Sequence, residues 1–260
     1  MPWRSGHHGV VAAEQISAAS SPGWSWDPTL YAGAARYYRV GRVAYPASVA
    51  DALVVALGLD RTGWLLDVGC GPGSLTLLLA PHFAEAVGVD ADADMLDEAD
   101  RRAEQEGIRN VRWVHMRAED LPGEFPPMRV VSFAQSFHGM NRSRVAAAAR
   151  RLIAAGGALV HVGATTHQGV DTGDVLAHPQ PPRKEISGLV RRYLGPLHRA
   201  GQGVLTAGTP EHEDTIYKAA AFTGPQRLEV PGWVMERTAD EIVASVYSLS
   251  GSAPTSSVNA

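Results

Sequence analysis

The chain has a single cysteine and no long apolar run, and neither sign of charge dominates it. Because Cys70 is alone, no intrachain disulfide can form, which is typical of a reducing, cytoplasmic setting. No apolar stretch approaches the ~20 residues that span a bilayer, and the opening MPWR lacks the regions of a signal peptide. The net charge of −4 disfavours nucleic acid as a partner. We expect a soluble cytoplasmic protein with no membrane partner.

At 260 residues the chain can bury the core of one α/β domain. We expect residues 1–30 to form a loose N-terminal arm or a lid over a pocket, residues 31–250 to form the domain, and residues 251–260 to form a tail. The first segment holds Trp24 and Trp26 in a run rich in serine, alanine and glycine, and both interpretations stay open. No metal site is predicted.

The stretch from Trp64 to Leu75, WLLDVGCGPGSL, is the most informative part of the chain. Its apolar start is typical of a strand buried in a parallel sheet, and Gly69, Gly71 and Gly73 then precede an apolar helical run. Glycine lets the backbone approach a ligand closely, and the following helix presents free N–H groups above the turn. The sequence therefore predicts a cofactor-binding turn.

The spacing of the glycines distinguishes two classes of cofactor. A dinucleotide fingerprint G-x-G-x-x-G would need glycine at position 74, where the chain has Ser74. The run D-V-G-C-G-P-G, which begins at Asp67, resembles the first motif of S-adenosylmethionine-dependent methyltransferases of the Rossmann-like class. The resemblance implies that the backbone of Gly69, Gly71 and Gly73 lies against the methionine part of the cofactor and that Asp67 helps to orient it.

An acid follows at the end of the second apolar run, Ala86 to Asp90. In such folds a carboxylate about 20 residues past the glycine turn contacts ribose hydroxyls, and it can accept both hydroxyl hydrogens. We therefore expect Asp90 to bind the ribose and Asp92 to cap the next helix. The resemblance also implies that Met95, at the start of that helix, lies under the adenine ring.

The run R-A-E-D-L-P, from Arg117 to Pro122, resembles the adenine-binding turn of the same family, whose pattern is G-D-A-E-D-L-P. Arg117 stands where that pattern has aspartate. The resemblance implies that the Ala118 amide meets the adenine ring. It also implies that Glu119 or Asp120 accepts a hydrogen bond from the exocyclic amine, and the sequence leaves open which acid does so.

The loop QSFHGMN, from Gln135 to Asn141, follows the fourth expected strand and resembles the A-x-S-x-H-W-x-D run of a bacterial small-molecule methyltransferase subgroup. Ligands in open α/β sheets bind beyond the carboxyl ends of strands, so this loop should face the methyl group and Gln135 should contact the cofactor. Gly139 replaces the tryptophan of the pattern, and we expect the loss of this bulky ring to enlarge the acceptor pocket. His138 is the candidate catalytic residue, either as a general base or as a pocket wall.

Two other segments bear on the acceptor. The run from Tyr37 to Pro46 resembles the Y-x-x-x-R-x-x-Y-P segment that packs over the cofactor in related enzymes; alternatively, its tyrosines pack on the domain and Arg42 pairs with an acid. Residues 184–198 predict a basic amphipathic helix, which is either a solvated face or a site for an acidic acceptor.

The resemblance covers about residues 35–165 and implies a doubly wound α/β fold with helices on both faces. Its sheet would have seven strands, parallel except for one, with the last two at residues 227–230 and 233–236. The implied function is transfer of a methyl group from S-adenosylmethionine to a small-molecule acceptor. Two alternatives stay open: a protein that binds the cofactor without methyl transfer, and a cyclisation enzyme on the same fold.

Overall fold

The computed structural model describes residues 27, 29–169, 173, 176–195, 198–200, 203–205 and 213–254. Most of the predicted N-terminal arm, including Trp24 and Trp26, lies outside the described residues. Within the described ranges, no helix has both the length and the apolar character needed to cross a membrane.

Five parallel strands form the central sheet, in the order β3-β2-β1-β4-β5. These strands are β1 (Trp64–Val68), β2 (Glu85–Asp90), β3 (Val111–His115), β4 (Met128–Ala134) and β5 (Ile153–Val162). In the middle of the sheet, Leu66 of β1 pairs with Val87 of β2 on one side and with Val131 of β4 on the other. The strand order reverses between β1 and β4, and that reversal places the ligand crevice of this fold class beyond their carboxyl ends.

Helices cover both faces of the sheet. The α-helices of the described residues are α1 (Ala35–Gly41), α2 (Ala47–Leu57), α3 (Ser74–Leu79), α4 (Ala93–Glu106), α5 (Arg142–Leu152), α6 (Arg183–Leu194), α7 (Glu213–Ala219) and α8 (Ala239–Tyr247). Successive β1 residues point to opposite faces, so Leu65 packs with Leu53 and Leu75 of α2 and α3, whereas Leu66 packs with Val145 of α5. Burial on both faces explains why the strand reads as a continuous apolar run.

Side-chain caps begin the two helices that follow β2 and β4. The Asp92 carboxylate accepts a hydrogen bond from the Met95 amide at 3.1 Å, and the Asn141 side chain accepts one from the Arg144 amide at 3.3 Å. Such caps satisfy amide groups that have no partner within the helix. The cap predicted at Asp92 is confirmed, and each of the two caps fixes a helix start close to the carboxyl end of a central strand.

The sheet of the described residues has five strands, all parallel, so the prediction of seven strands with one antiparallel is wrong for this part of the chain. Residues 227–236, where the last two strands were expected, are irregular. Trp233, Val234 and Met235 are exposed by 47%, 72% and 49%. Apolar residues form a strand only where a neighbouring strand pairs with their backbone, and this segment has no such neighbour among the described residues. A separate antiparallel pair joins β6 (His198–Ala200) to β7 (Gly203–Leu205).

Candidate functional site

A cavity of about 600 Å³ opens beyond the carboxyl ends of the central strands. This volume falls within the roughly 300–1,000 Å³ that is common for small-molecule sites. Of the residues predicted to form the site, those that line the cavity are Gly69, Gly71, Asp90, Met95, Ala118, Glu119, Gln135 and His138. Asp67, Gly73 and Asp120 are not among the lining residues.

The three glycines after β1 serve different purposes, although all have positive φ angles of 53–72°. A Cβ at Gly69 would lie 2.5 Å from the Cβ of Ser136, and a Cβ at Gly73 would lie 2.7 Å from the Trp113 ring. A Cβ at Gly71 would meet nothing within 4 Å among the described residues. Packing therefore requires Gly69 and Gly73, whereas Gly71 leaves open space beside the cavity for a ligand.

Asp67 lies beneath the glycine turn and not in the cavity wall. Its side chain is fully buried, and it accepts hydrogen bonds from the hydroxyls of Thr76 at 2.6 Å and Ser132 at 2.7 Å. Burial raises the pKa of Asp67, and these two hydrogen bonds oppose the shift. Because Thr76 belongs to α3 and Ser132 to β4, the carboxylate connects the helix that follows the turn to the strand that pairs with β1.

Asp90 connects the glycine turn to the start of α4. One carboxylate oxygen accepts a hydrogen bond from the Gly71 amide at 2.8 Å, and the other accepts one from the Asp92 amide at 3.0 Å. Burial raises the pKa of Asp90 to about 6, with the Gly71 and Asp92 amides opposing the shift. A carboxylate has about four acceptor positions, so both oxygens keep the capacity to accept hydrogen bonds from a ligand.

The turn after β3 brings one of its two acids to the cavity. Ala118 and Glu119 are buried and line the cavity, whereas Asp120 is exposed. One oxygen of Glu119 accepts a hydrogen bond from the Asn141 amide at 2.8 Å, and the other lies 3.7 Å from Nε of Arg117. Glu119 therefore links this turn to the loop after β4, and it is the acid of the pair that a ligand in the cavity can reach.

Gln135 stands immediately after β4 in a backbone conformation that is unusual for its residue type. Its φ angle is 56°, in the left-handed region that non-glycine residues rarely occupy outside functional sites and turns. The side-chain amide donates hydrogen bonds to Tyr45 Oη and to Thr166 Oγ1, both at 3.2 Å. These contacts hold the residue at the cavity wall and connect it to the segment before α2.

His138 lies in the same loop, and its ring is exposed at the cavity surface. Desolvation by the surrounding protein lowers the pKa of His138, and the nearby His161 lowers it further. The imidazole is consequently neutral at pH 7 and keeps one nitrogen that can accept a hydrogen bond or a proton.

Both ends of the described chain cover the cavity. α1 packs against α8 so closely that a Cβ at Gly41 would lie 2.4 Å from the carbonyl group of Ala244. The cavity residues that these ends contribute are Leu30, Tyr31, Tyr38, Ser245, Val246, Leu249, Ser250, Gly251 and Ser252. No motif in the sequence identified individual residues of the 245–252 segment as part of the site.

Two arginines link these ends through neutral oxygen atoms. Arg42 donates hydrogen bonds to the hydroxyl and carbonyl oxygens of Ser248 at 2.8 and 3.2 Å. Arg237 donates to the carbonyl oxygens of Gly41 at 2.9 Å and Glu241 at 2.8 Å. The partners of Arg42 among the described residues are thus hydroxyl and carbonyl oxygens and Nδ1 of His167, and not the acid that one interpretation of the sequence predicted.

One face of α6 forms a further part of the cavity wall. The residues of that face are Arg183, Ile186, Ser187, Val190 and Arg191, at the spacing of neighbours on a helix. Arg192 is not among them; it is exposed, and its guanidinium lies 5.9 Å from the centre of the Tyr193 ring. The predicted amphipathic helix is confirmed as far as Leu194, but its predicted end at residue 198 is wrong, because His198 belongs to β6. Sequence periodicity could not show that one face of the helix lines the cavity.

The comparison with known proteins concerns the central strands and their loops. A family described as "Methyltransferase domain" matches residues 65–157. The chain is 28% identical over 111 residues to the Saccharomyces cerevisiae protein named "Probable S-adenosylmethionine-dependent methyltransferase CRG1", a match that covers 42% of this chain and 38% of that protein.

Two bacterial relatives match shorter segments. Over 58 residues the chain is 40% identical to the Bacillus subtilis protein named "Uncharacterized methyltransferase YcgJ", covering 22% of this chain and 23% of the relative. Over 96 residues it is 35% identical to the ubiquinone biosynthesis O-methyltransferase of Methylococcus capsulatus, covering 35% and 39%. The chain therefore spans less than two-fifths of the length of each of these three relatives.

The matched segment contains the glycine turn and the loops that line the cofactor end of the cavity. The residues there fit S-adenosylmethionine, because Gly71 leaves open space, Asp90 offers a carboxylate, and Met95 and Ala118 provide a buried apolar surface. Residues 65–157 form a methyltransferase domain of the S-adenosylmethionine-dependent, Rossmann-like class, and S-adenosylmethionine is the cofactor of that domain.

Proposed function

We propose that this chain transfers a methyl group from S-adenosylmethionine to a small-molecule acceptor, as the bacterial subgroup that its 135–141 loop resembles does. The observation that carries the proposal is one cavity that contains both Asp90, at the cofactor end, and the α6 residues Ile186 and Val190. A donor and an acceptor that share a cavity can be aligned for direct transfer, and such alignment lowers a barrier by as much as ~7–11 kcal/mol.

The methionine and ribose parts of the cofactor are assigned to the glycine turn and the end of β2. The backbone of Gly69 and Gly71 lies against the methionine part, and Asp90 accepts hydrogen bonds from the ribose hydroxyls. Gln135 contacts the cofactor from the end of β4. Asp67 acts through Thr76 and Ser132, since it holds α3 and β4 around the turn without lining the cavity.

The adenine ring is assigned to the apolar surface of Met95 and to the turn after β3. The amide of Ala118 meets the ring, and Glu119 accepts a hydrogen bond from the exocyclic amine. Burial and access support the choice of Glu119, because its carboxylate lines the cavity and Asp120 is exposed.

When bound, the cofactor supplies a methyl group on a sulfonium that leaves as a neutral thioether. The residues of the chain therefore have to orient the acceptor and exclude water. We assign His138 to the acceptor wall, where its neutral imidazole accepts a hydrogen bond. The lowered pKa of His138 supports this role, because a weakly basic imidazole at the cavity surface remains uncharged beside a cationic sulfonium.

A small acceptor, and not a nucleic acid, is supported by the cover that α1 and α8 form over the cavity. The net charge of −4 supports the same conclusion, because proteins that bind nucleic acid carry a basic patch for the phosphates.

The test is product analysis after incubation with methyl-labelled S-adenosylmethionine and a panel of small acids, phenols and amines, with an RNA pool as a separate arm. We expect label in a small-molecule product whose mass rises by one methyl group in place of hydrogen. Cofactor binding without any labelled product would identify a binding protein. A product of unchanged mass would identify a cyclisation enzyme.

A further inference from the structure

The charges on the cavity wall are distributed unevenly. Both acids of the lining, Asp90 and Glu119, lie at the end assigned to the cofactor, where the cation Arg117 lies 3.7 Å from Glu119. The wall formed by α6 and the segment before it contributes Arg183 and Arg191 together with His167, and it contributes no acid among the described residues. The part of the cavity left for the acceptor is therefore bordered by positive charge.

Arg183 has an unsatisfied donor in this wall. Its Nε is buried and has no hydrogen-bond partner among the described residues, and no carboxylate of those residues forms an ion pair with it. Burial lowers the pKa of Arg183, and the charge of Arg237 lowers it further. An arginine nevertheless remains protonated in proteins. Because buried polar groups are almost always paired, a ligand in the cavity could supply the partner that this Nε lacks among the described residues.

Neighbouring arginines reinforce the positive potential. Arg42, Arg183 and Arg237 all act on His167, whose pKa burial and these three charges lower to about 4. Arg42 and Arg237 have hydroxyl and carbonyl oxygens as hydrogen-bond partners, and Arg42 also lies 3.5 Å from Nδ1 of His167. The carboxylate of Glu241, which lies near Arg237, accepts hydrogen bonds from Thr238 at the start of α8. Within the described part of the chain, the positive charge at this end of the cavity is thus only partly compensated.

Apolar side chains lie next to Arg183 on the same wall. Ile186 and Val190 occupy successive turns of the α6 face, and Val246 and Leu249 line the cavity from the C-terminal cover. A ligand that satisfied this wall would combine an apolar body with one anionic group. A carboxylate suits the planar guanidinium, which binds it through two parallel hydrogen bonds.

We propose that the methyl acceptor is an apolar carboxylate whose anionic group pairs with Arg183. Arg191, two turns along the same face, adds long-range attraction, and the apolar residues of α6 contact the body of the acceptor. The inference rests on the proposed function, and it names the substrate class that the α6 wall selects.

The test compares Arg183→Gln with Arg192→Gln, which removes the same charge from the outer face of the same helix. Each protein is saturated with S-adenosylhomocysteine and titrated with a panel of aromatic and medium-chain aliphatic carboxylates, each paired with its carboxamide. We expect the wild type and Arg192→Gln to bind the preferred carboxylate about tenfold or more tightly than its amide, the scale for a hydrogen bond to a charged group. Arg183→Gln should lose that preference, and Arg183→Lys, which keeps the charge, should retain part of it.

A second arm separates the acceptor from the carboxylate of the cofactor itself. S-adenosylhomocysteine and 5′-methylthioadenosine, which lacks the amino-acid part, are titrated into the wild type and Arg183→Gln. We expect the substitution to change neither affinity by more than about twofold, because Arg183 contacts neither ligand in this account.

Three outcomes would overturn the inference. The first is a wild type that binds no carboxylate better than its amide, and the second is an Arg183→Gln variant that keeps the preference. The third is an Arg183→Gln variant that loses affinity for S-adenosylhomocysteine but not for 5′-methylthioadenosine, which would assign the guanidinium to the cofactor. If the wild type fails to bind S-adenosylhomocysteine at all, the proposed function itself is contradicted, and that failure is visible before any carboxylate is added.

Discussion

The Asp90 carboxylate accepts a hydrogen bond from the Gly71 amide at 2.8 Å, although the two residues are 19 positions apart in the sequence. Its other oxygen accepts a hydrogen bond from the Asp92 amide at the start of α4. The acid at the end of β2 therefore holds the turn after β1 in place while it lines the cavity. The glycine turn and the acid, which are two separate motifs in the sequence, form one unit in the structure.

Replacing Asp90 with alanine should weaken the binding of S-adenosylhomocysteine by about 1.5–3 kcal/mol, the scale for hydrogen bonds to a charged group. The loss has two sources, since the variant lacks the acceptor for the ribose hydroxyls and also releases the Gly71 amide. Calorimetric titration measures the change. Asp94→Ala, which removes an exposed acid from the first turn of α4, is the control and should bind like the wild type. An unchanged affinity in Asp90→Ala would remove this residue from the ribose site.

The raised pKa of Asp90 predicts opposite pH trends for binding and for stability. Ribose hydroxyls donate to the ionised carboxylate, so affinity for S-adenosylhomocysteine should fall as the pH drops from 7 to 5, through the pKa of about 6. The pKa in the folded protein lies above its ordinary value of 3.8. The folded state consequently binds more protons between these two values, and the contribution of Asp90 to the free energy of unfolding decreases as the pH rises from about 4 to about 6.

Asp90→Asn isolates both trends, because an amide does not titrate. The difference between the wild type and this variant is measured by calorimetry and by denaturant unfolding at each pH. We expect the variant to show a flatter pH dependence in both measurements. Parallel curves for the two proteins would show that another group is responsible for the trends.

Replacing Gly71 with valine should abolish measurable cofactor binding and leave the fold intact. The new side chain would occupy the open space beside the cavity, and the positive φ angle adds strain of about 1–2 kcal/mol. Gly58→Val controls for that strain, because Gly58 has a φ angle of 57° and lies outside the cavity lining, and a Cβ there would meet nothing within 4 Å among the described residues. Circular dichroism and calorimetry report fold and binding separately. A Gly71→Val protein with native affinity would show that this glycine serves only the backbone.

Substitutions of His138 distinguish a cavity wall from a general base. His138→Gln keeps hydrogen-bonding capacity but has no titratable nitrogen. We expect it to retain more than about a tenth of the methyl-transfer rate, well short of the ~10²–10⁴-fold loss that a missing base produces. The matched control is His161→Gln, which alters a nearby imidazole outside the cavity lining and should leave the rate close to that of the wild type.

The pH profile gives an independent reading of the same residue. The pKa of His138 is lowered, so a base at this position would make the wild-type rate fall as the pH drops through a value below the usual 6.5 for histidine. For a cavity wall, the profiles of the wild type and His138→Gln should coincide in that range. A thousandfold loss of rate in His138→Gln, together with loss of the pH dependence, would contradict the assignment.

The features that the sequence predicted correctly are local ones. The strand before Gly69, the glycine turn and the cap at Asp92 each depend on residues that are close to one another in the sequence. Asp90 and His138 could be anticipated because parallel strands bring their carboxyl ends to the same edge of the sheet. The structure places both at the cavity.

The features that the sequence did not predict depend on distant contacts. Arg42 and Ser248 are 206 residues apart, and no local pattern links them. Residues 227–236 have apolar side chains at strand-like spacing, but a strand also requires a partner backbone, which local sequence does not specify. The same applies to α6. Hydrophobic periodicity shows that the helix has an apolar face and a polar face, but it does not show which part of the protein each face contacts.

The most direct test of the central claim is a calorimetric comparison of S-adenosylhomocysteine and NAD as ligands of the wild-type chain. The claim is that the turn at Gly69 to Gly73, together with Asp90, holds S-adenosylmethionine in the cavity. We predict saturable binding of S-adenosylhomocysteine, competition by S-adenosylmethionine at the same site, and no binding of NAD. Tight binding of NAD would contradict the account. So would titrations in which S-adenosylhomocysteine and S-adenosylmethionine give no binding heat and do not compete for one site.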